Sequence, residues 1–275
     1  MADDQRSRVA DVFDRVSASY DAVGVDFFRP IADGLVAELA PRPGERALDV
    51  GCGRGAVLFP LADAVGPTGS VVGVDIAAGM VERTGADVAE AGLAGRVEVL
   101  LGDAEAPDLV RAEFDLVASS LVLFFLADPL AALVAWGGLL VPGGRVGVST
   151  FGPFNDEWNA VEEPLRRYVP GAARDPRTNA GGPFGSDEAM VELLTVAGFV
   201  DVRTVTTTVP VRFESAEHWY RWSTSIGQLQ FWDAVPADEV DAVRATASEA
   251  MEAGRRPDGR LGFDQTVRYT LGRRG

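Results

Sequence analysis

The stretch Ala47-Leu48-Asp49-Val50-Gly51-Cys52-Gly53-Arg54-Gly55-Ala56 passes from an apolar run through an acid into three alternating glycines. Residues Arg46 to Val50 read as a buried parallel strand, after which the chain must turn sharply so that backbone can approach a ligand without Cβ atoms in the way. Gly51, Gly53 and Gly55 meet that need. A helical pattern from Ala56 to Val65 follows and turns the free N–H groups of its first turn toward the same crevice. Twenty residues beyond Gly55, Ser70-Val71-Val72-Gly73-Val74-Asp75 reads as a second strand ending in a carboxylate, placed to accept hydrogen bonds from a ribose. Strand, glycine turn, helix, strand and acid form a mononucleotide-binding half. The spacing is G-x-G-x-G, not the G-x-G-x-x-G of a dinucleotide site, and Asp49 faces where a cationic ligand end would sit.

Outward from that half, a third strand from Arg96 to Leu101 ends at Gly102-Asp103-Ala104, where a carboxylate can accept from an adenine amino group. A fourth, Phe114 to Ala118, leads into Ser119-Ser120-Leu121. Asp128-Pro129 opens an amphipathic helix with an acid at the cap and proline in the first turn. Leu140-Val141-Pro142-Gly143-Gly144-Arg145 then precedes a fifth strand reaching Thr150. A helix near Ser186 to Ala197, a strand near Val200 to Val209 and a last strand from Thr266 to Leu271 complete the pattern. Upstream, Val9, Val12, Phe13 and Val16 have the spacing of an amphipathic helix over Arg6 to Tyr20.

Taken in order, Asp49-Val50-Gly51-Cys52-Gly53-Arg54-Gly55, Gly73-Val74-Asp75-Ile76 with Met80, Gly102-Asp103-Ala104, Phe114-Asp115-Leu116-Val117 and Leu140-Val141-Pro142-Gly143-Gly144 resemble the class I S-adenosylmethionine-dependent methyltransferases. The likeness covers roughly residues 9 to 150 and is nearest to the type 11 and ubiquinone/menaquinone-biosynthesis group. It implies an α/β fold, a doubly wound, seven-stranded, mostly parallel Rossmann-like sheet with helical lid insertions. It implies S-adenosyl-L-methionine as cofactor and S-adenosyl-L-homocysteine as product. Gly51, Cys52, Gly53 and Gly55 would receive the methionine part, with Asp49 toward its amino group. Asp75 would bind the ribose, Ile76 and Met80 would pack on the adenine, and Gly102, Asp103 and Ala104 would read its edge. Ser119, Ser120 and Leu121 would line the sulfonium. The N-terminal helix, ending in Ser19-Tyr20-Asp21, resembles one that covers the cofactor in the quinone group, which makes Tyr20 a candidate lid and catalytic residue.

Composition removes other chemistries. The chain of 275 residues is long enough to bury a substantial core and reads as one domain. Within it, residues 1–40 are expected as N-terminal lid helices, 41–150 as the cofactor core, and 151–185 and 215–260 as substrate-binding insertions. All 25 basic residues are arginine, so Schiff-base, pyridoxal-phosphate and P-loop kinase chemistry have no lysine to use. A single cysteine, Cys52, and a single histidine, His218, exclude a Cys/His zinc cluster and an internal disulfide. No metal is expected, because no compact acid pair follows the fourth strand. A net charge of −16 repels nucleic acid, and no basic aromatic cluster offsets it. Arg166, Arg167, Arg174 and Arg177 form a local exception, read as a solvated loop face or a guide for an acidic substrate. No signal peptide or long apolar run is present, so a cytoplasmic protein without a membrane partner is expected. The lack of lysine and the wealth of Ala, Val, Arg and Gly point to a GC-rich bacterial source. A homodimer is left open.

The two insertions carry the substrate expectation. Phe151, Phe154, Trp158, Tyr168 and Phe184 leave the C-terminal end of the fifth strand, where open α/β sheets bind ligands. Phe124, after the fourth strand, is placed with them. The second insertion is too long for a loop and holds His218, Trp219, Tyr220, Trp222, Gln228, Phe231 and Trp232, followed by a helical pattern from Pro236 to Ala253. Helical spacing groups His218, Trp222 and Ser225 on one face, with Trp219, Ile226 and Trp232 on others. Tyr20, Phe124, Phe151, Trp158, Trp222, Ser225 and Trp232 are thus the candidate substrate contacts. His218 is the only side chain with an ordinary pKa near neutrality and is the candidate general base; Glu217, Asp21, or no base at all for a carboxylate acceptor are the alternatives. The expected reaction is methyl transfer to an oxygen of a small, partly aromatic or apolar acceptor, of the natural-product tailoring type. C-methylation of a quinol-like ring, esterification of a peptide or acid carboxyl, and a non-transferring fold relative such as a cyclase remain as alternatives. A nicotinamide oxidoreductase would share the βαβ half but lacks its glycine spacing and lysine here.

Overall fold

The computed structural model describes residues 2–169, 182–257 and 259–275. The apolar run around Leu48 forms β1 (Arg46–Val50), buried from its second residue onward, at the centre of the sheet. It pairs in parallel with β2 (Ser70–Asp75) on one side and β4 (Phe114–Ser120) on the other. Beyond β2 lies β3 (Val97–Leu101), and beyond β4 lies β5 (Leu140–Phe151), both parallel to their neighbours. Strands covered on both faces need apolar residues on both, as in the Val71-Val72-Gly73-Val74 run of β2, buried throughout. The last strand, β7 (Leu261–Arg274), inserts antiparallel between β5 and the edge strand β6 (Phe199–Phe213), giving the order β3-β2-β1-β4-β5-β7-β6. The expected seven-stranded, mostly parallel sheet is present. β6 and β7 run longer than their apolar patterns suggested, because each supplies the other's ladder. Pro210 sits in that ladder without ending it, as an edge position tolerates.

Strand order reverses at β1, so β2 and β4 leave it on opposite sides and open a crevice above their C-terminal ends. Around the sheet stand α2 (Phe28–Leu39), α3 (Leu58–Val65), α4 (Ala78–Glu90), α5 (Pro129–Leu139) and α7 (Asp187–Val196). α2 corrects the expected lid over residues 1–40. Its Ile31, Ala32, Leu35, Val36 and Leu39 form one buried stripe against β4, β5 and β7, so it is a sheet-covering helix. Only α1 (Ala2–Val16) is left to lie over the crevice, against α4 and α9 (Leu229–Asp233). The long insertion is helical as expected and folds as α8 (Ala216–Ser223), α9 and α10 (Val240–Ala253), with α6 (Asp156–Arg166) packed on α9 and α10. α10 begins four residues later than the helical pattern, the intervening residues forming a turn.

Two arginines bind these layers. Arg145 reaches from β5 to both carboxylate oxygens of Glu45, at 2.7 and 2.9 Å, while its Nε donates to Leu39 O at the end of α2. Arg268 on β7 is almost wholly buried. It pairs with Asp187 at the head of α7 and donates to the carbonyls of Phe151 and Phe184 at 2.9 and 2.8 Å. It thereby ties the end of β5, which carries the chamber residue Phe151, to the segment at Phe184. Arg268→Met leaves those carbonyls without a donor and is expected to cost about 3 kcal/mol in denaturant unfolding. A loss below about 1 kcal/mol would show that the two are held by packing alone.

Candidate functional site

The glycine turn after β1 is built as its sequence demands. Gly51, Gly53 and Gly55 adopt φ values of 73°, 48° and 82°, in the left-handed region that favours glycine. Gly51 N–H donates to Val74 O, and Gly53 N–H donates to the Asp75 carboxylate at 2.8 Å. The other Asp75 oxygen accepts from Ala77 N–H at 2.9 Å, at the entry to α4. One acid thus holds two turns together. The surroundings of the three glycines differ. A Cβ on Gly51 would drive into Val122, and one on Gly55 would meet Phe59 at 2.6 Å, but one on Gly53 would stand in open space. Gly51 and Gly53 line the crevice; Gly55 makes room beneath it for Phe59.

Behind the turn, Asp49 is 1% exposed, and its Oδ2 has no hydrogen-bond partner among the described residues. Burial first, and then the charge of Asp75, push its carboxyl up to about 8, against the Leu58 N–H that favours the anion. Asp75 is also raised by burial, opposed by the backbone donors at Ala77, Gly53 and Ile76. Cys52 turns its side chain inward toward Gly73, where burial pushes the thiol well above its ordinary value. It does not line the crevice, and it is not a reactive thiol.

From the turn a single cavity runs into an aromatic chamber. Its first end is formed by Gly51, Gly53, Asp75, Ile76, Asp103 and Ala104, and its middle by Ser120, Leu121 and Val122. Leu121 holds a left-handed φ of 58° while its N–H donates to Ser149 O, a strained non-glycine conformation placed at the junction of the two ends. The chamber is walled by Phe27, Phe28, Phe124, Phe151, Trp158 and Trp222. Phe124 stacks on Phe151 at 5.3 Å, and Phe27 meets Trp222 edge-on at 5.2 Å. Gln5, Arg6, Val9 and Phe13 of α1 form the roof. Gln5 donates to Phe125 O, Arg6 pairs with Asp103, and Asp14 accepts from Gly79 N–H at the head of α4.

The structure brings together Gly51, Gly53, Asp75, Ile76, Asp103, Ala104, Ser120 and Leu121 of the expected cofactor set, and Tyr20, Phe124, Phe151, Trp158 and Trp222 of the expected substrate set. Others stand one layer back. Met80 packs with Val16 and Ala77, Ser119 Oγ donates to Val50 O, and Gly102 N–H donates to Asp75 O. Asp103 accepts from Glu105 N–H in a turn and heads no helix.

Three placements correct the sequence reading. His218 is not among the cavity residues. Its Nε2 lies 2.8 Å from Val23 O and its Nδ1 accepts from Glu214 N–H, so both ring nitrogens are engaged by backbone. Ser225 falls past the end of α8 and bonds back to Trp222 O, so the helical spacing that grouped it with Trp222 does not extend to it. Trp232 packs on Trp219 and Tyr220 and donates to Ser223 Oγ, away from the chamber. Of the other candidate bases, Glu217 pairs with Arg244, and Asp21 does not line the cavity. Tyr20 lines it, but burial and then the charges of Asp21 and Asp75 raise its phenol well above the usual value, which suits it to donate a hydrogen bond and not to take a proton. Arg166 is committed to Glu162 and Arg167 lies over Tyr168, while Arg174 and Arg177 fall outside the described residues. Sequence reading missed the doublet Phe27-Phe28 and Phe125 as chamber walls; an aromatic pair just ahead of Pro30 was the available signal. Among the described residues no group of three or more His, Cys, Asp or Glu is placed to hold a metal, and no helix is long and apolar enough to cross a membrane.

Comparison with known proteins agrees with this geometry. Residues 47–144 match the family model described as a methyltransferase domain. The chain is 40% identical to nocamycin O-methyltransferase of Saccharothrix syringae across 95% of its own length and 97% of that protein's. It is 43% identical to aklanonic acid methyltransferase DauC of a Streptomyces strain, over 51% of this chain and 64% of the relative. Among solved structures, YcgJ of Bacillus subtilis superposes with a TM-score of 0.60 at 17% identity, covering 89% of this chain and 97% of its own, a likeness of fold.

Because a Cβ at Gly51 strikes Val122, Gly51→Ala is expected to lower the unfolding free energy by roughly 1–3 kcal/mol. Gly53→Ala, facing open space, should lose only what its left-handed φ demands, about 1 kcal/mol. Equal denaturant midpoints for the two variants would contradict this assignment of the turn.

Proposed function

The chain belongs to the S-adenosylmethionine-dependent methyltransferases, and from that premise we propose that it methylates an oxygen of a small, largely aromatic acceptor that ionises near neutral pH without a protein base. The observation that carries this reading is the distribution of charge along the cavity. Among the described lining residues the acids are Asp75, Asp103 and Glu105, which end or follow β2 and β3, whereas the chamber walls are mainly aromatic. Glu105 is itself committed to Ala127 N–H. Among the described aromatic walls an acceptor oxygen meets no carboxylate or imidazole to take its proton, and an oxygen that has already lost it needs none. The names of the two relatives, an O-methyltransferase and a methyltransferase of aklanonic acid, support oxygen over carbon as the methylated atom.

The residues fit the cofactor. Asp49 keeps a buried oxygen without a partner behind the turn, and Gly53 leaves its Cβ position open to the ligand. Asp49 would supply negative charge toward the cationic methionine end, acting from one layer behind the cavity surface. Asp75 would offer the ribose its remaining lone pairs while its backbone donors hold it still. Ile76 would pack against the adenine, with Asp103 and Ala104 at its edge, and Met80 would support that floor from below. Bound S-adenosylmethionine supplies a methyl group on a sulfonium, already a reactive electrophile. The chain's own work is alignment and exclusion of water: Leu121 and Ser120 set the junction where the acceptor oxygen approaches, and α1 closes over it through Gln5, Arg6 and Asp14. Tyr20 can donate a hydrogen bond there to orient the acceptor.

Calorimetry with S-adenosylmethionine should show Asp75→Ala weakening binding by about 1–3 kcal/mol, the cost of losing hydrogen bonds to a charged acceptor; unchanged affinity would remove the cofactor assignment. Since the Asp49 carboxyl lies near 8 in the free protein, it is mostly protonated at pH 7, and a cation nearby lowers its pKa. Cofactor binding at pH 7 should therefore release up to about one proton, detected with buffers of different ionisation heat, and affinity should rise as pH approaches 8. Asp49→Asn should abolish the release. His218→Ala should keep transfer within about threefold of the parent rate at intact cofactor affinity, whereas a fall of 10²-fold or more would restore it as the base.

A further inference from the structure

The chamber carries three buried polar groups that the protein leaves unpaired. Trp158, Trp222 and Gln228 line the cavity and are 4%, 1% and 5% exposed, and neither indole N–H nor the Gln228 Oε1 has a hydrogen-bond partner among the described residues. Native cores satisfy such groups almost without exception, and unsatisfied ones call for an explanation in function. Trp158 is in ring contact with Phe154, Phe263 and Trp222, and Trp222 with Phe27, Phe213, Phe263 and Trp158, none of which supplies an acceptor. Both tryptophans also line the cavity, where a bound molecule can bring an acceptor to them.

The third group is oriented by design of its neighbours. Gln228 Nε2 donates to Glu162 Oε1 at 2.6 Å, and Glu162, 2% exposed, is held in turn by Arg166 at 3.0 Å. A carboxylate only accepts, so it fixes the amide with nitrogen toward α6 and leaves the oxygen as the free end. The chamber thus offers two N–H donors and one acceptor within an aromatic wall. Ring contacts run along the chamber wall from Phe124, after β4, through Phe151 and Phe27 to Trp222 on α8.

We propose that this far end is an oxygen-recognition subsite, in which the N–H groups of Trp158 and Trp222 bind a carbonyl oxygen of the acceptor and Gln228 Oε1 takes a second, hydroxyl substituent. The acceptor class is a flat, conjugated hydroxy-carbonyl compound: an aromatic hydroxyketone or an enolised dicarbonyl. This rests on the reading of the site as a methyl-transfer chamber and deepens it. In such a molecule the hydroxyl to be methylated is conjugated with the carbonyl, so its anion places charge on the oxygen held by the two indoles. Hydrogen bonds to that charged form favour ionisation. The hydroxyl proton leaves to solvent, the oxygen lone pair forms the new O–C bond, and the pair of the broken C–S bond returns to sulfur. Two tryptophans at a distance then do what a local base would do elsewhere.

The test uses the full chain, saturated with S-adenosylhomocysteine, and two probes of equal shape: 2-acetylnaphthalene, which has the carbonyl, and 2-ethylnaphthalene, which lacks it. By calorimetry the parent protein should bind the ketone at least fivefold more tightly. Trp222→Phe and Trp158→Phe keep an aromatic ring and remove the N–H. Each should weaken the ketone five- to tenfold while holding the hydrocarbon within twofold. Spectroscopic titration of bound 6-acetyl-2-naphthol should show ionisation at a lower pH than in water, and at a higher pH in either variant than in the parent. Equal losses for both probes, no preference for the ketone, or no binding of either would overturn the subsite. The probes are also titrated without S-adenosylhomocysteine. A ketone preference in a protein that does not bind S-adenosylhomocysteine upholds the subsite and defeats the cofactor reading; bound S-adenosylhomocysteine without the preference does the reverse.

Discussion

The Asp75 carboxylate is the interaction on which the site depends. Its two oxygens accept from Gly53 N–H and Ala77 N–H, joining the glycine turn after β1 to the start of α4 after β2. Without that bridge, two adjacent βα connections would have to hold their open, donor-rich conformations independently. Parallel pairing of Asp49 with Gly73 brings β1 and β2 into the register that makes the bridge possible. The arrangement has an electrostatic cost. Asp49 and Asp75 stand close enough to raise Asp49, in a region where water is scarce. An underpaired buried acid beside the glycine turn is a group whose charged form a nearby cation would stabilise.

Along the cavity, polarity falls steeply. At the glycine turn the wall is backbone and carboxylate; beyond Leu121 it is mainly aromatic and aliphatic, with Gln228 among its few polar residues. That division suits two ligands of opposite character meeting end to end, one charged and hydrogen-bonded, the other flat and apolar. The left-handed Leu121 marks the meeting point, and its conformation is held by the bond to Ser149 O and by burial. Strain stored there keeps the β4 exit from relaxing into the cavity. The chamber wall is supported from behind, Gln228 by Glu162 and Arg166, and the end of β5 with the segment at Phe184 by Arg268. Buried charge is spent on position, not on proton transfer.

The roof is held differently from the floor. α1 reaches the rest of the protein through partly exposed polar contacts such as Arg6 with Asp103 and Arg15 with Asp233, together with the small cluster of Val16, Ala77 and Met80. Exposed pairs of this kind contribute little each. The sheet-covering α2, by contrast, buries a full apolar stripe. The same N-terminal forty residues therefore contain one helix anchored by the core and one anchored mainly at the surface, over the mouth of the site.

The sequence by itself determined the sheet, the glycine turn and the acids at the ends of β1, β2 and β3, because these are local demands: a run of apolar residues for a strand covered on both faces, and glycine where φ must be positive. It also located the aromatic insertions, since their density is a property of composition. Only the tertiary structure decided which aromatics face the cavity. Trp222 and Trp232 lie ten residues apart in one segment, yet one walls the chamber and the other packs behind it, a choice made where α8 ends and α9 begins. His218 looked suited to catalysis by its intrinsic pKa, and the fold assigned both its nitrogens to backbone groups at Val23 and Glu214. The unpaired indoles and the oriented amide were equally illegible. A missing partner is a fact about everything that surrounds a group, and no stretch of sequence contains its own surroundings.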